Sequence, residues 1–126
     1  MDKIKIKGGA NLFGSINIPG SKNAALPVMV SSLLSKENLN LHNLPKLQDM
    51  NSMISLLRSF GVSVNQNNNT LTLNSQNLNN STARYPLVRR MRASLLVLGP
   101  LRSRFRKANL SLHGGCALGT RPIDIH

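Results

Sequence analysis

The sequence predicts an α/β fold. Short stretches with apolar residues at every second position alternate with longer stretches at three- and four-residue spacing. Clusters of glycine, proline and asparagine separate them. The order is strand, helix, strand, helix, hairpin, then helix, strand and the start of a helix. That is one α/β unit and most of a second. At 126 residues the chain is one domain at most, or part of one.

"KIKIK", Lys3 to Lys7, alternates as a half-buried strand does, and "LFGSINI", Leu12 to Ile18, is a second strand candidate. The Gly8-Gly9 pair between them suggests a turn. Ser21 is placed to cap a helix running to about Leu34, apolar nearly all round and so expected to be buried. Pro27 complicates it, because proline removes the donor that would bond the Asn23 carbonyl. Either that carbonyl is free inside the helix, or the helix begins at Pro27 and "GSKNAAL" is a loop. "NLNLH", Asn38 to His42, is a strand. In "PKLQDMNSMISLLRSFG" the residues Leu47, Met50, Met53, Ile54, Leu57 and Phe60 fall on one helical face, and Gly61 suits the position after the last turn. "VSVNQNNNTLTLN" predicts a hairpin with its turn from Asn65 to Asn69. "SQNLNNSTAR" is a polar loop whose asparagines are read as turn formers. Pro86 opens a long helix with Leu87, Val88, Met91, Leu95 and Leu98 inward, which Pro100 ends or kinks. "ANLSLH", Ala108 to His113, is a strand. Pro122 opens one more helix, with only about one turn before His126. One turn does not hold itself in water, so the chain is expected to be cut off within its second unit.

Composition narrows the function classes. The longest apolar run, Ala24 to Val30, is too short to span a bilayer, so no membrane partner is expected. The start "MDKIKIKGG" lacks the apolar region of a signal peptide. A single cysteine makes no internal disulfide, and the expectation is a cytoplasmic protein. Net charge is +12, from 16 Lys+Arg against 4 Asp+Glu. Arg84, Arg89, Arg90, Arg92, Arg102, Arg104, Arg106 and Lys107 form a stripe with no acid between. It reads as a solvated face, as a face for an acidic partner surface, or as a basic binding module for nucleic acid or another anionic surface. Single-strand readers add stacking aromatics, and this segment has only Tyr85 and Phe105, so no nucleic acid is expected.

Three segments carry candidate chemistry. In "LHGGCALGTRP" a lone cysteine, Cys116, is by default a small buried apolar side chain. Its glycines permit unusual backbone and close ligand approach. Arg121 would favour a thiolate, and a helix start at Pro122 would offer free N–H groups to an anion. A thiol, an arginine and a helix start so close together suit a phosphorylated or carboxylated substrate. In "GSKNAA", Lys22 lies where the helix dipole disfavours a cation, and gains if an anion binds there. The alternative is an exposed lysine without a role. In "RRMRAS", Arg92 flanks the apolar stripe with a planar fork suited to carboxylate or phosphate. Its alternative is a plain surface arginine.

Taken in order and spacing, "IPGSKNAALP", "RRMRAS…LGPL" and "GGCALGTRPIDIH" resemble the N-terminal part of the UDP-N-acetylglucosamine 1-carboxyvinyltransferases, in the enolpyruvyl transferase (EPSP synthase-like) superfamily. "NLPKLQDMNSMISLLRSFG" and the opening residues also fit. The lysine motif is shared with the 5-enolpyruvylshikimate-3-phosphate synthases; the cysteine loop is not, and no arginine follows "SKNAALP" until Arg58.

The resemblance implies transfer of the enolpyruvyl group of phosphoenolpyruvate to the 3′-hydroxyl of UDP-N-acetylglucosamine, releasing phosphate. This is the first committed step of peptidoglycan biosynthesis and the target of fosfomycin. It implies Cys116 as proton donor to the methylene carbon. Lys22, Asn23 and Arg121 are implied at phosphoenolpyruvate, and Arg92, Arg121, Pro122, Ile123, Asp124 and Ile125 at UDP-N-acetylglucosamine. No metal or organic cofactor is implied. The implied fold is an inside-out α/β barrel built of βαβαββ repeats, here about one and a half. Residues 1–20 are then strands that pack with the other, mostly missing, domain. Residues 21–126 are an incomplete transferase domain carrying the cysteine loop at 112–122. Family members are several-fold longer and supply an aspartate base from the part absent here. The chain alone is therefore expected to be inactive, with the missing C-terminal part of the enzyme as a possible partner.

Overall fold

The computed structural model describes residues 3–9, 11–67, 70–89 and 91–111. Elements within them run α1 (Lys22–Ser31), a 3₁₀ turn (Ser32–Leu34), β1 (Asn38–His42), α2 (Gln48–Ser59), β2 (Ser63–Asn67), β3 (Thr70–Asn74), β4 (Thr82–Ala83), α3 (Tyr85–Val88), a 3₁₀ helix (Arg92–Val97), α4 (Leu98–Phe105) and β5 (Asn109–Leu110). The α/β class is as expected.

The three-stranded sheet has the order β1-β3-β2, all antiparallel. Its register puts Leu39 and Val64 opposite Leu73, and Leu41 opposite Leu71. These side chains face inward, where Leu71 and Leu73 are buried. The period of two leaves the other face polar, and it closes a ladder across the strands. Thr72 Oγ1 donates to Asn40 Oδ1 at 2.7 Å, Asn74 Nδ2 donates to Asn38 Oδ1 at 2.7 Å, and His42 Nδ1 lies 3.0 Å from Thr70 Oγ1. β2 runs through Asn65 to Asn67, so the expected turn is shorter than Asn65 to Asn69.

α1 and α2 pack together inside this sheet. Ala25, Leu26, Met29 and Val30 of α1 meet a core with Met50, Met53, Ile54, Leu56, Leu57 and Phe60. α1 contains Pro27, so the helical alternative holds and the loop alternative does not. Burial is one-sided: Val28 and Leu34 are about half exposed, against the expectation of a helix covered all round.

α2 ends in a full Schellman motif. Gly61, at φ 96°, donates to the Arg58 carbonyl at 3.0 Å, and Val62 donates to Leu57 at 3.2 Å. The polar loop completes the cap. Asn80 Nδ2 donates to the Ser59 carbonyl at 3.0 Å, and Asn79 N donates to Phe60 at 3.0 Å. The last four carbonyls of α2, which a helix leaves unpaired, are thus all satisfied. These asparagines serve α2 and do more than form a turn.

Two expectations are corrected. The long helix opened by Pro86 is broken: α3 stops at Val88, Met91 is extended at φ −155°, and a 3₁₀ helix leads into α4. Pro100 neither ends nor kinks a helix. It sits in the first turn of α4, where a missing donor costs little. The second correction concerns the N-terminus. Residues 3–9 and 11–18 form no strand. Ile4, Ile6, Leu12, Phe13, Ile16 and Ile18 are each between 80% and 95% exposed. An alternating pattern needs a partner for its backbone and a surface for its apolar side, and the described residues provide neither.

β4 and β5 pair in parallel, Thr82 with Asn109 and Ala83 with Leu110, across the helical segment between them. Parallel pairing requires such a crossover. From α1 onward the order is α-β-α-β-β, then the βαβ opening of a second unit.

Candidate functional site

The connection into α1 is latched to the end of β1. Gly20 N donates to the Asn43 carbonyl at 3.0 Å, and Asn43 Nδ2 donates to the Ile18 carbonyl at 3.5 Å. Asn43 adopts the left-handed region at φ 56°, which asparagine tolerates better than most residues. A Cβ on Gly20 would collide with the Asn43 carbonyl oxygen, so only glycine lets the two backbones approach.

Ser21 is the N-cap residue, as expected, but its hydroxyl makes no capping bond. Its carbonyl accepts the Ala25 N–H at 2.9 Å. The first turn of α1 holds no acid. The helix therefore starts with its positive dipole end uncapped by any described side chain. Lys22 is the first helical residue, and Asn23 follows it on the exposed side. The buried residues Ala25, Leu26, Met29 and Val30 anchor the helix that presents them.

Lys22 is not free. Its Nζ lies 2.9 Å from Asp49 Oδ2, with the two side chains 43% and 35% exposed. Asp49 is in the first turn of α2, where the dipole favours a carboxylate. The starts of both helices thus meet at this pair. Sequence reasoning missed Asp49. Its signal was an acid in the first turn of the clearest helix, in a chain with only 4 acids.

Arg92 opens the 3₁₀ helix and is exposed. That helix packs against α1, so the carriers of Lys22 and Arg92 are neighbours. Cys116, Arg121, Pro122, Ile123, Asp124 and Ile125 lie outside the described residues, as does the helix expected at Pro122. A cleft of about 390 Å³ opens beside the β1–α2 connection, lined by Leu44, Pro45, Leu47, Ile54, Gln66 and Leu71 among others. Its lining includes none of Lys22, Asn23 or Arg92.

The basic stripe is partly consumed by structure. Arg104 reaches inward, donating from Nη1 to the Leu33 carbonyl at 3.3 Å and from Nη2 to the Ser75 carbonyl at 3.2 Å. The Arg89 guanidinium stands 5.9 Å from the Tyr85 ring centroid. Arg84, Arg92, Arg102, Arg106 and Lys107 are exposed. Among the described residues no group of three or more His, Cys, Asp or Glu is placed to hold a metal. No helix among them is long and apolar enough to cross a membrane.

Comparison with known proteins places this chain in a family. Proteins named UDP-N-acetylglucosamine 1-carboxyvinyltransferase match all of the chain: 48% identical over 126 residues in Campylobacter jejuni, 48% in Psychromonas ingrahamii, and 50% over 127 residues in Idiomarina loihiensis. The chain spans about 30% of the length of these curated relatives. Among solved structures, the enolpyruvyl transferase NikO from Streptomyces tendae shares the fold, with a TM-score of 0.68 at 21% identity, over 77% of this chain and 23% of that one. The family described as EPSP synthase (3-phosphoshikimate 1-carboxyvinyltransferase) matches residues 6–126. The chain belongs to that family of enolpyruvyl transferases.

Proposed function

We propose that the chain carries the phosphoenolpyruvate-facing part of an enzyme that transfers the enolpyruvyl group to the 3′-hydroxyl of UDP-N-acetylglucosamine, in the cytoplasm, at the entry to peptidoglycan synthesis. The observation that carries the reading is identity at about half of all positions, over the whole length of the chain, with relatives bearing that name. It favours this acceptor over a shikimate phosphate. The geometry agrees. An uncapped helix start suits an anion, and its first residue, Lys22, is a lysine whose charge is shared with Asp49.

In this reading Lys22, Asn23 and Arg121 hold phosphoenolpyruvate, whose phosphate and carboxylate need several converging donors. Arg92, Arg121 and the segment Pro122 to Ile125 contact UDP-N-acetylglucosamine. The Cys116 thiol gives its proton to the methylene carbon while the 3′-hydroxyl oxygen bonds to the adjacent carbon. The hydroxyl proton passes to a base outside this chain. Loss of a methyl proton and departure of phosphate then restore the double bond. A general acid must be protonated before it acts, so Cys116 must stay a thiol at working pH.

The reading includes an architecture. The α-β-α-β-β order and the βαβ opening after it fit an inside-out barrel of βαβαββ repeats. The exposed apolar side chains of residues 4–18 fit strands completed by another domain.

A chimera tests the function: residues 1–126 replace the matching segment of the Campylobacter jejuni relative. The chimera should release phosphate from phosphoenolpyruvate only when UDP-N-acetylglucosamine is present. Cys116→Ser in the chimera should remove most of that activity and its alkylation by fosfomycin, and the chain alone should release none. A folded but inactive chimera, or a Cys116→Ser chimera that is active and alkylated, contradicts the reading.

A further inference from the structure

Lys22 and Asp49 belong to the first turns of different helices, and their charges meet at 2.9 Å. The helices do not need this contact to stay together. They pack through Ala25, Leu26, Met29, Met50 and Met53, all buried, and a partly exposed ion pair adds little to such packing. The pair instead governs where the lysine points. An ammonium has three N–H donors and accepts nothing. Asp49 engages one of them from the α2 side. Tetrahedral geometry then turns the other two away from α2. The α1 dipole by itself repels the ammonium, so without Asp49 the flexible side chain would swing into solvent.

We propose that Asp49 is a positioning residue for Lys22, holding the ammonium at the start of α1 with two donors ready for a phosphorylated carboxylate. This rests on the reading of Lys22 as a phosphoenolpyruvate contact. A positioned donor distinguishes ligands by shape, whereas an unpositioned charge attracts any anion. Asp49 therefore acts on selectivity more than on overall anion affinity.

The test uses the whole 126-residue chain, with phosphoenolpyruvate and inorganic phosphate titrated separately and followed at the Lys22 and Asn23 amide signals by NMR. Asp49→Ala should cut the preference for phosphoenolpyruvate over phosphate by about fivefold, the upper size of an exposed pair. Phosphate binding itself should not weaken, because the variant has lost a negative charge. Asp49→Glu, which restores the carboxylate, should recover most of the preference. If Asp49→Ala weakens both ligands together with loss of helical circular dichroism, its role is structural and the proposal fails. If both ligands tighten equally, Asp49 is only a charge and the proposal fails as well. An unsubstituted chain that does not prefer phosphoenolpyruvate overturns the anion-site reading itself, and the proposal with it.

Discussion

Single residues in this molecule act through backbone groups more than through one another. Gly20 is the clearest case. Its lack of a Cβ lets the segment before α1 lie against the Asn43 carbonyl, and that contact sets where Lys22 begins. Gly20→Ala should cost about 1–3 kcal/mol, as other forced insertions into tight contacts do, and should broaden the Lys22 signals. An alanine variant with unchanged urea midpoint and unchanged Lys22 signals would refute the latch. Arg104 makes a similar argument from charge. Its fork satisfies two carbonyls from distant segments, so Arg104→Met should cost about 1–3 kcal/mol through the groups it leaves unpaired. Arg102→Met, at an exposed site, should be nearly neutral. Equal effects of the two would show that Arg104 is an ordinary surface cation. Lys22 and Arg92 could be singled out in the sequence because their types and motifs are local. Asp49 could not, because its meaning comes from a partner 27 positions away (49 − 22) that only folding brings close. The inward turn of Arg104 was hidden for the same reason: the stripe of cations reads as one solvated run until a fold divides it.

Elements were legible wherever the pattern and the stop signal agreed. β1 was read to the residue, and α2 was read with its glycine, because period and cap point the same way. Gly61→Ala should destabilise by about 1–3 kcal/mol: a positive φ is strained for alanine, and a Cβ would stand 2.7 Å from the Asn77 carbonyl oxygen. Chemical denaturation measures it; a loss below about 0.3 kcal/mol would mean that the Schellman turn is dispensable. Leu47, expected inward, is about half exposed, since it precedes α2 as its N-cap. The segment after Pro86 misled because apolar spacing continues straight through a break. A continuous helix would bury Pro100 in its interior, with its ring against a carbonyl and a bond missing. The change from 3₁₀ to α at Leu98 instead places the proline in the first turn of α4. Period alone does not register such a choice. The asparagines of the polar loop misled in the opposite sense. Their local chemistry suggests a turn, while their partners are the carbonyls at the far end of α2.

At the scale of the whole molecule, one core joins α1, α2, the sheet and the helices up to α4, and the described residues 3–9 and 11–18 contribute nothing to it. Deleting residues 1–16 should therefore change stability by less than about 0.5 kcal/mol, like other changes remote from a core. A loss of several kcal/mol would show that the N-terminal segment packs after all. The alternation of "KIKIK" and "LFGSINI" was correctly visible as a strand pattern, yet a strand forms only with a neighbour. In a chain spanning about 30% of its relatives, the proposed neighbour lies in the remainder. In the proposed function the α1 start and the cysteine loop serve one substrate site. Fosfomycin alkylation of the whole chain, read by intact mass and peptide mapping, tests it most directly. A single adduct is expected, on Cys116, formed at least about tenfold more slowly in Lys22→Ala, the loss expected when a charge-assisted contact to an anion is removed. No adduct, or an adduct formed at the same rate without Lys22, would contradict it.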